Sequence, residues 1–262
     1  MASYSQSGRL WQVVLYEYRL LLVATQSLTR IPAPSFTHYE PQWLHQSSRH
    51  FPAVGLLVGV LCALVFWLAS MIFTPLIAAV LSTVFGIKLT GAFHEDGLAD
   101  TCDGLGGGLT RERTLTIMKD SRLGTYGTLG LTSALLIKIT LLASMPMTTA
   151  LVALIIGHSA SRLLSISLIT VLPYGGEIEH AKAKPMAQQL TPVQAMIASI
   201  WLLLGVLVVT LVFPQHHAEN WRLALAISID TGRYRNRLYA PLITTTVGWL
   251  YGRWFGRNAA AK

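Results

Sequence analysis

Residues 52–73 read PAVGLLVGVLCALVFWLASMIF, a run with no charged side chain. A helix adds about 1.5 Å per residue, so about 20 apolar residues are needed to cross the roughly 30 Å hydrocarbon core of a bilayer. This run is long enough, and it sets the fold class. Thr74-Pro75 ends it, and residues 76–93 form a second apolar run whose only charge is Lys88. Residues 128–145 and 149–172 form another pair, joined by the uncharged turn Met145-Pro146-Met147, and 193–213 is a further strong span. Residues 10–28 are apolar but interrupted by Glu17, Arg19 and Gln26. Charges at mid-bilayer are costly, so this segment reads as an amphipathic or partly buried helix. Pro32 and Pro34 end it, and 35–50 reads as a polar loop. In the tail, 223–229 is apolar but short, 230–237 is polar and 238–252 is moderately apolar. The expectation is an all-α, multi-pass transmembrane helical bundle of about six or seven membrane helices. Residues 1–262 would form a single integral membrane domain.

Composition agrees. Charged residues make up 12% of the chain, against about 25% in a typical soluble domain, and mean hydropathy is +0.50. The net charge of +8 would suggest nucleic acid in a soluble protein. Here it reads instead as basic loops at the cytoplasmic face, and no nucleic-acid partner is expected. The loops 29–51, 94–127 and 173–192 are separated by two-span hairpins, so they share one side. They hold Arg30, Arg49, Arg111, Arg113, Lys119, Arg122, Lys182 and Lys184, while the turns near 74 and 146 hold no Lys or Arg. The positive-inside rule places the three polar loops in the cytoplasm. Cys62 and Cys102 indicate neither a disulfide framework nor a zinc set. The N-terminus has no clean signal peptide.

The chemistry lies in one polar segment, residues 91–127. Asp96, Asp100 and Asp103 are spaced i, i+4, i+7, which puts three carboxylates on one helix face, with His94 and Glu95 pointing elsewhere. Like charges stacked beside a membrane need a positive partner, and an oxygen-preferring divalent cation, most simply Mg2+, is the natural one. Glycines at 97, 104, 106, 107 and 108 suggest close backbone approach to a ligand such as phosphate. The second element, Lys119-Asp120-Ser121-Arg122-Leu123-Gly124-Thr125-Tyr126-Gly127, adds a fourth carboxylate, a guanidinium and glycines where a helix begins. Asp120 reads as a further metal ligand or a general base. Arg122 and Gly124 read as phosphate-binding, with a capping turn and an Asp–Arg surface pair as the plainer alternative. His158 and Arg162, with Ser161 between them, lie i, i+4 inside the apolar run 149–172. They are either a satisfied buried polar pair or a substrate anchor facing the acids. Arg30 and Lys184 are further phosphate-binding candidates, with membrane-surface charge as their alternative. Together these groups describe metal-assisted phosphoryl transfer, in which an acceptor hydroxyl attacks with help from His94 or an aspartate.

The stretch Gly91-Ala92-Phe93-His94-Glu95-Asp96-Gly97-Leu98-Ala99-Asp100-Thr101-Cys102-Asp103-Gly104, together with Asp120-Ser121-Arg122-Leu123-Gly124-Thr125-Tyr126-Gly127, resembles the cobalamin synthase (adenosylcobinamide-GDP ribazoletransferase) family. Thr29-Arg30-Ile31-Pro32, Phe51-Pro52-Ala53-Val54-Gly55, His158-Ser159-Ala160-Ser161-Arg162 and Lys182-Ala183-Lys184-Pro185 extend the resemblance over about 20–213. The resemblance implies a magnesium-requiring enzyme of the bacterial inner membrane. Its reaction would join adenosylcobinamide-GDP to alpha-ribazole or its 5'-phosphate and release GMP. It also implies roles for His94, Asp96, Asp100, Asp103, Asp120 and Arg122. A homo-oligomer and contacts with other corrin-assembly enzymes stay open as partners. The tail departs from the family pattern: in place of a G-G-x-T-G-D segment it reads Tyr251-Gly252-Arg253-Trp254-Phe255-Gly256-Arg257. A CDP-alcohol phosphotransferase would need an Ala-Arg pair after its acids, where this chain has Leu105-Gly106 after Asp103-Gly104. A metal-ion transporter would place its acids at mid-membrane rather than at one end.

Overall fold

A computed structural model describes residues 3–32, 34, 40–171 and 190–213. These residues form nine α-helices and no strand. They are α1 (Ser3–Leu28), α2 (Pro41–Ser47), α3 (Phe51–Ser70), α4 (Pro75–Thr90), α5 (Phe93–Gly107), α6 (Arg111–Lys119), α7 (Thr125–Ser144), α8 (Met147–Val171) and α9 (Pro192–Val212). The all-α, multi-pass expectation holds. Four segments are long and apolar enough to cross a membrane, or five if the bent pair α4–α5 is one span. The expected six or seven are not reached among the described residues, and residues 214–262 lie outside them.

The central helix is α3. Val54, Val58, Cys62, Phe66 and Ala69 recur at helical spacing and are all buried. Its other face carries Gly55 and Gly59, one turn apart. A Cβ on Gly59 would lie 2.7 Å from the Leu154 carbonyl oxygen, and one on Gly55 would run into the His158 carbonyl. Small residues four apart let two backbones approach closely, which lipid cannot do for them. That contact seats α8 and fixes where His158 and Arg162 point. Ser82 of α4 donates to the Cys62 carbonyl at 2.8 Å and ties α4 to the same helix.

Two expectations are corrected. The polar loop 35–50 contains α2 and a short 3-10 turn, Ser48–His50, and the span that becomes α3 runs from Gln42 to Ser70. The run 76–93 is not a full second span: α4 stops after 16 residues, about 24 Å, and α5 leaves it at 91°. As expected, α1 is helical and is not among the candidate spans. The charge that interrupts it has partners. Glu17 meets Arg49 at 3.2 Å and His50 at 2.9 Å, and His50 accepts the Trp201 indole N–H at 3.1 Å. A carboxylate that would otherwise oppose burial thus joins α1, the 3-10 turn and α9.

Gly59→Leu should cost about 1–3 kcal/mol, because the obstacle is backbone and cannot move aside. Gly157→Ala, on the facing helix with nothing within 4 Å of its Cβ position, should be neutral or stabilising. Thermal unfolding of both variants in detergent checks the pair, and equal effects would contradict the groove.

Candidate active site

The site begins at the α4–α5 bend. Gly91 (φ 70°) and Ala92 (φ 62°) are both left-handed. Glycine adopts this conformation freely, whereas alanine is strained there by about 1–2 kcal/mol. The Ala92 amide bonds the Ile87 carbonyl at 2.9 Å, and the Arg30 amide bonds the Leu89 carbonyl at 2.7 Å. The Arg30 side chain fills the space a Cβ on Gly91 would need, with Nε 2.5 Å from that position. This places the Arg30 candidate at the bend, directly before His94.

Along α5 the three acids grade inward, from exposed Asp96 through half-buried Asp100 to buried Asp103. Asp103 is engaged: its carboxylate accepts from the Gly124 amide at 2.7 Å and the Gly127 amide at 2.8 Å. The first amides of a helix lack partners within it and carry partial positive charge, so a carboxylate there is a strong acceptor. The two halves of the motif therefore meet at Asp103. Gly124 and Gly127 can sit there because a Cβ on either would collide with the carboxylate, and Gly130 likewise admits Cys102.

This gives the glycines a different partner from the phosphate expected from sequence. Gly104 faces Met118, Gly106 faces the Tyr126 ring and Gly108 faces Thr114. They let α5, α6 and α7 pack closely. Of the five glycines in this stretch, Gly97 alone faces open space.

Asp120 and Arg122 pair with each other. Arg122 Nη2 donates to Asp120 Oδ2 at 2.7 Å, Nε reaches both carboxylate oxygens at 3.1 Å, and the Arg122 amide donates to Oδ1 at 3.1 Å. That hydrogen bonding, and then the carboxylate charge, raises the Arg122 pKa above its ordinary value. The Arg122 guanidinium is otherwise exposed, and the side-chain bonds it makes among the described residues all go to Asp120. Among the described residues no three His, Cys, Asp or Glu side chains gather closely enough to hold a metal by themselves. Asp96 and Asp100, one turn apart on an open face, are the pair best placed to do so with help from a ligand.

At the start of α5, Glu95 buries Oε2 while His94 remains exposed. His94 and Glu95 come within electrostatic reach of Arg162 on α8 and of Lys138 on α7. His158 and Arg162 do meet, with Arg162 Nη1 3.0 Å from His158 Nδ1. Sequence reasoning missed Lys138 and gave Glu95 no role. A lone lysine inside the apolar run 128–145 was the available signal. Lys182 and Lys184 lie outside the described residues.

The sequence profile described as cobalamin-5-phosphate synthase matches residues 20–260. The chain belongs to that family. The match continues past residue 213, where the sequence resemblance was expected to stop, into residues the structure does not describe. The adenosylcobinamide-GDP ribazoletransferase of Leptothrix cholodnii is 49% identical over 195 residues, covering 73% of this chain and 74% of the relative. The protein of the same name from Vibrio cholerae is 41% identical over 215 residues, 78% of this chain and 82% of the relative. That of Albidiferax ferrireducens is 38% identical over 253 residues, 92% and 88%. No solved structure matches the chain.

Asp103→Asn should lower stability by about 1–3 kcal/mol, because either amide orientation turns a donor toward a backbone donor. Asp96→Asn, on the exposed end of the stripe, should change it by less than about 0.5 kcal/mol. Gly91→Ala should destabilise by about 1–2 kcal/mol and Ala92→Gly should not. Thermal unfolding of the four variants reads all of these.

Proposed function

We propose that the protein is a magnesium-dependent adenosylcobinamide-GDP ribazoletransferase of the inner membrane, with its polar loops in the cytoplasm. It would transfer adenosylcobinamide phosphate from adenosylcobinamide-GDP to alpha-ribazole, or alpha-ribazole 5'-phosphate. The products would be adenosylcobalamin, or its 5'-phosphate, and GMP. Family membership and the shared name of the relatives support the activity. The observation that carries the site is the Asp103 contact with Gly124 and Gly127, which joins the acidic stripe to the Arg122 turn.

The donor set suits magnesium. This ion commonly takes one or two carboxylates and completes its shell with substrate phosphate and water, so a closed protein cage is not required. Asp96 and Asp100 would hold it, with Asp103 and Asp120 bordering the site through their amide and guanidinium partners. Bound there, the ion supplies charge neutralisation for the diphosphate and for the leaving phosphate. The chain's own residues do the rest. Arg122, anchored by Asp120, presents Nη1 to a phosphate oxygen. The buried Asp103 sets the distance between α5 and α7, so the acceptor and the phosphorus meet in one geometry. The acceptor hydroxyl proton would go to His94 or to an aspartate left free of the ion. Lys184 and Arg30 remain candidate phosphate contacts. The bilayer is the remaining partner, alongside further copies of the chain and other corrin-assembly enzymes.

Purified protein in lipid, given adenosylcobinamide-GDP and alpha-ribazole, should release GMP and form the joined corrinoid with magnesium and stop when it is chelated. Asp100→Asn should abolish turnover while leaving the protein folded. No product from folded wild-type protein with magnesium present would sink the assignment.

A further inference from the structure

Helix α1 packs along its second half. Leu20, Val23, Ala24 and Leu28 are buried, whereas among the described residues nothing covers those from Gly8 to Leu15, all of them exposed. That uncovered half is largely apolar: Leu10 and Trp11 are 68% and 63% exposed, and Val14 and Tyr18 are over half exposed. Large apolar side chains gathered on one surface call for an occupant.

Two contacts fix how α1 runs relative to the spans. Arg30, just past its end, bonds the Leu89 carbonyl near the end of α4, and Glu17 meets Arg49 and His50 just before α3. In the α3–α4 hairpin Cys62 lies beside Ser82 and Gly86, which puts Leu89 about 10 Å along α3 from the level of His50. The stretch from Glu17 to Arg30 is about 20 Å long, so α1 advances half its length along α3 and lies at about 60° to it. The span Gln42–Ser70 has 29 residues, about 43 Å against a hydrocarbon core of about 30 Å. With the α3–α4 turn at the far surface, the residues before α3 stand in the headgroup layer, and residues 8–15 of α1 continue outward along it.

The sequence of α1 sorts into three stripes at helical spacing. Tyr16, Leu20, Val23 and Ala24 face the bundle, where the Tyr16 hydroxyl donates to Gln46 at 2.6 Å and its ring meets Trp43 edge-on. Leu10, Trp11, Val14 and Tyr18, at i, i+1, i+4 and i+8, form an exposed apolar stripe. Gln12, Arg19 and Gln26, at i, i+7 and i+14, form an exposed polar one. A spanning α1 would carry that polar stripe through hydrocarbon, which is costly. A helix lying in the interface uses both stripes, one toward the acyl chains and one toward water, with Trp and Tyr at headgroup level.

We propose that the first half of α1 lies in the membrane surface, with its Leu10–Trp11–Val14–Tyr18 stripe sunk into the phospholipid leaflet on the side of the acidic segment. Arg19, on the polar stripe, is placed to reach headgroup phosphates over its own apolar stem. The leaflet then holds a helix whose other end, through Arg30, packs on Gly91 at the α4–α5 bend. This seat is independent of the reaction.

The test uses the full chain in phosphatidylcholine vesicles, with Cys62→Ala and Cys102→Ala so that a single nitroxide can be attached elsewhere. At Val14→Cys the nitroxide should collide several-fold more with oxygen, which concentrates among acyl chains, than with a water-soluble nickel chelate. At Gln12→Cys the preference should reverse. Depths at Leu10→Cys, Val14→Cys and Tyr18→Cys should differ by about 6 Å at most, half of the roughly 12 Å between the outer two along the helix. Nickel-preferring collisions at Val14→Cys would overturn the seat. A depth change equal to the full axial distance would replace it with a spanning helix. Spin–spin broadening at Val14→Cys that vanishes on dilution with unlabelled protein would replace it with a second copy of the chain. Where the cysteine-free background does not fold, Trp11→Phe in the native chain gives the answer by fluorescence. The emission lost with Trp11→Phe should be quenched more by phospholipid brominated near the headgroup than by phospholipid brominated near the chain end. Equal quenching of wild type and Trp11→Phe, or a preference for the deep bromines, sinks the idea.

Discussion

The arrangement of the polar segment depends on one carboxylate meeting two backbone amides. Asp103, near the end of α5, takes the Gly124 and Gly127 N–H groups at the start of α7. Without it, α7 would begin with unsatisfied donors beside a membrane, where water is scarce. With it, the acidic stripe and the Arg122 turn are held together although a third helix, α6, separates them in sequence. The glycines follow from that contact, since neither Gly124 nor Gly127 could carry a side chain there.

The bend before α5 gives that helix two different surroundings. Its Asp96–Asp100 face opens outward, while Glu95 buries Oε2 within electrostatic reach of Lys138 and Arg162 and His94 stays exposed beside it. A straight continuation of α4 would have left both faces in similar surroundings. The left-handed Ala92 is a local cost accepted for that division, and the amide bonds to Ile87 and from Arg30 to Leu89 hold it in place.

Spans α3, α7, α8 and α9 were legible because apolar length is a local property, and the runs 52–73, 128–145, 149–172 and 193–213 carry it in consecutive residues. Residues 41–50 were not, because Trp43 is buried by packing on α1 that no local signal reports. The early end of α4 was hidden because alanine at position 92 gives no hint of a left-handed backbone. The acidic triplet was found by its spacing, and spacing assigned all three carboxylates one role. It cannot see that amides of a distant helix claim Asp103. The same blindness turned helix-packing glycines into phosphate-binding ones, and left Lys138 unnoticed, because its neighbours come from α5 and α8.

Helix α7 carries both the amides that hold Asp103 and the lysine at its inner end, yet only 11% of its apolar window is buried in protein. Half of the corresponding window that includes α3 is buried. In a bilayer, the face of α7 that the other described helices leave bare would meet acyl chains. Lateral pressure and bilayer thickness would then act on α7 directly, and through it on the Asp103 contact with Gly124 and Gly127.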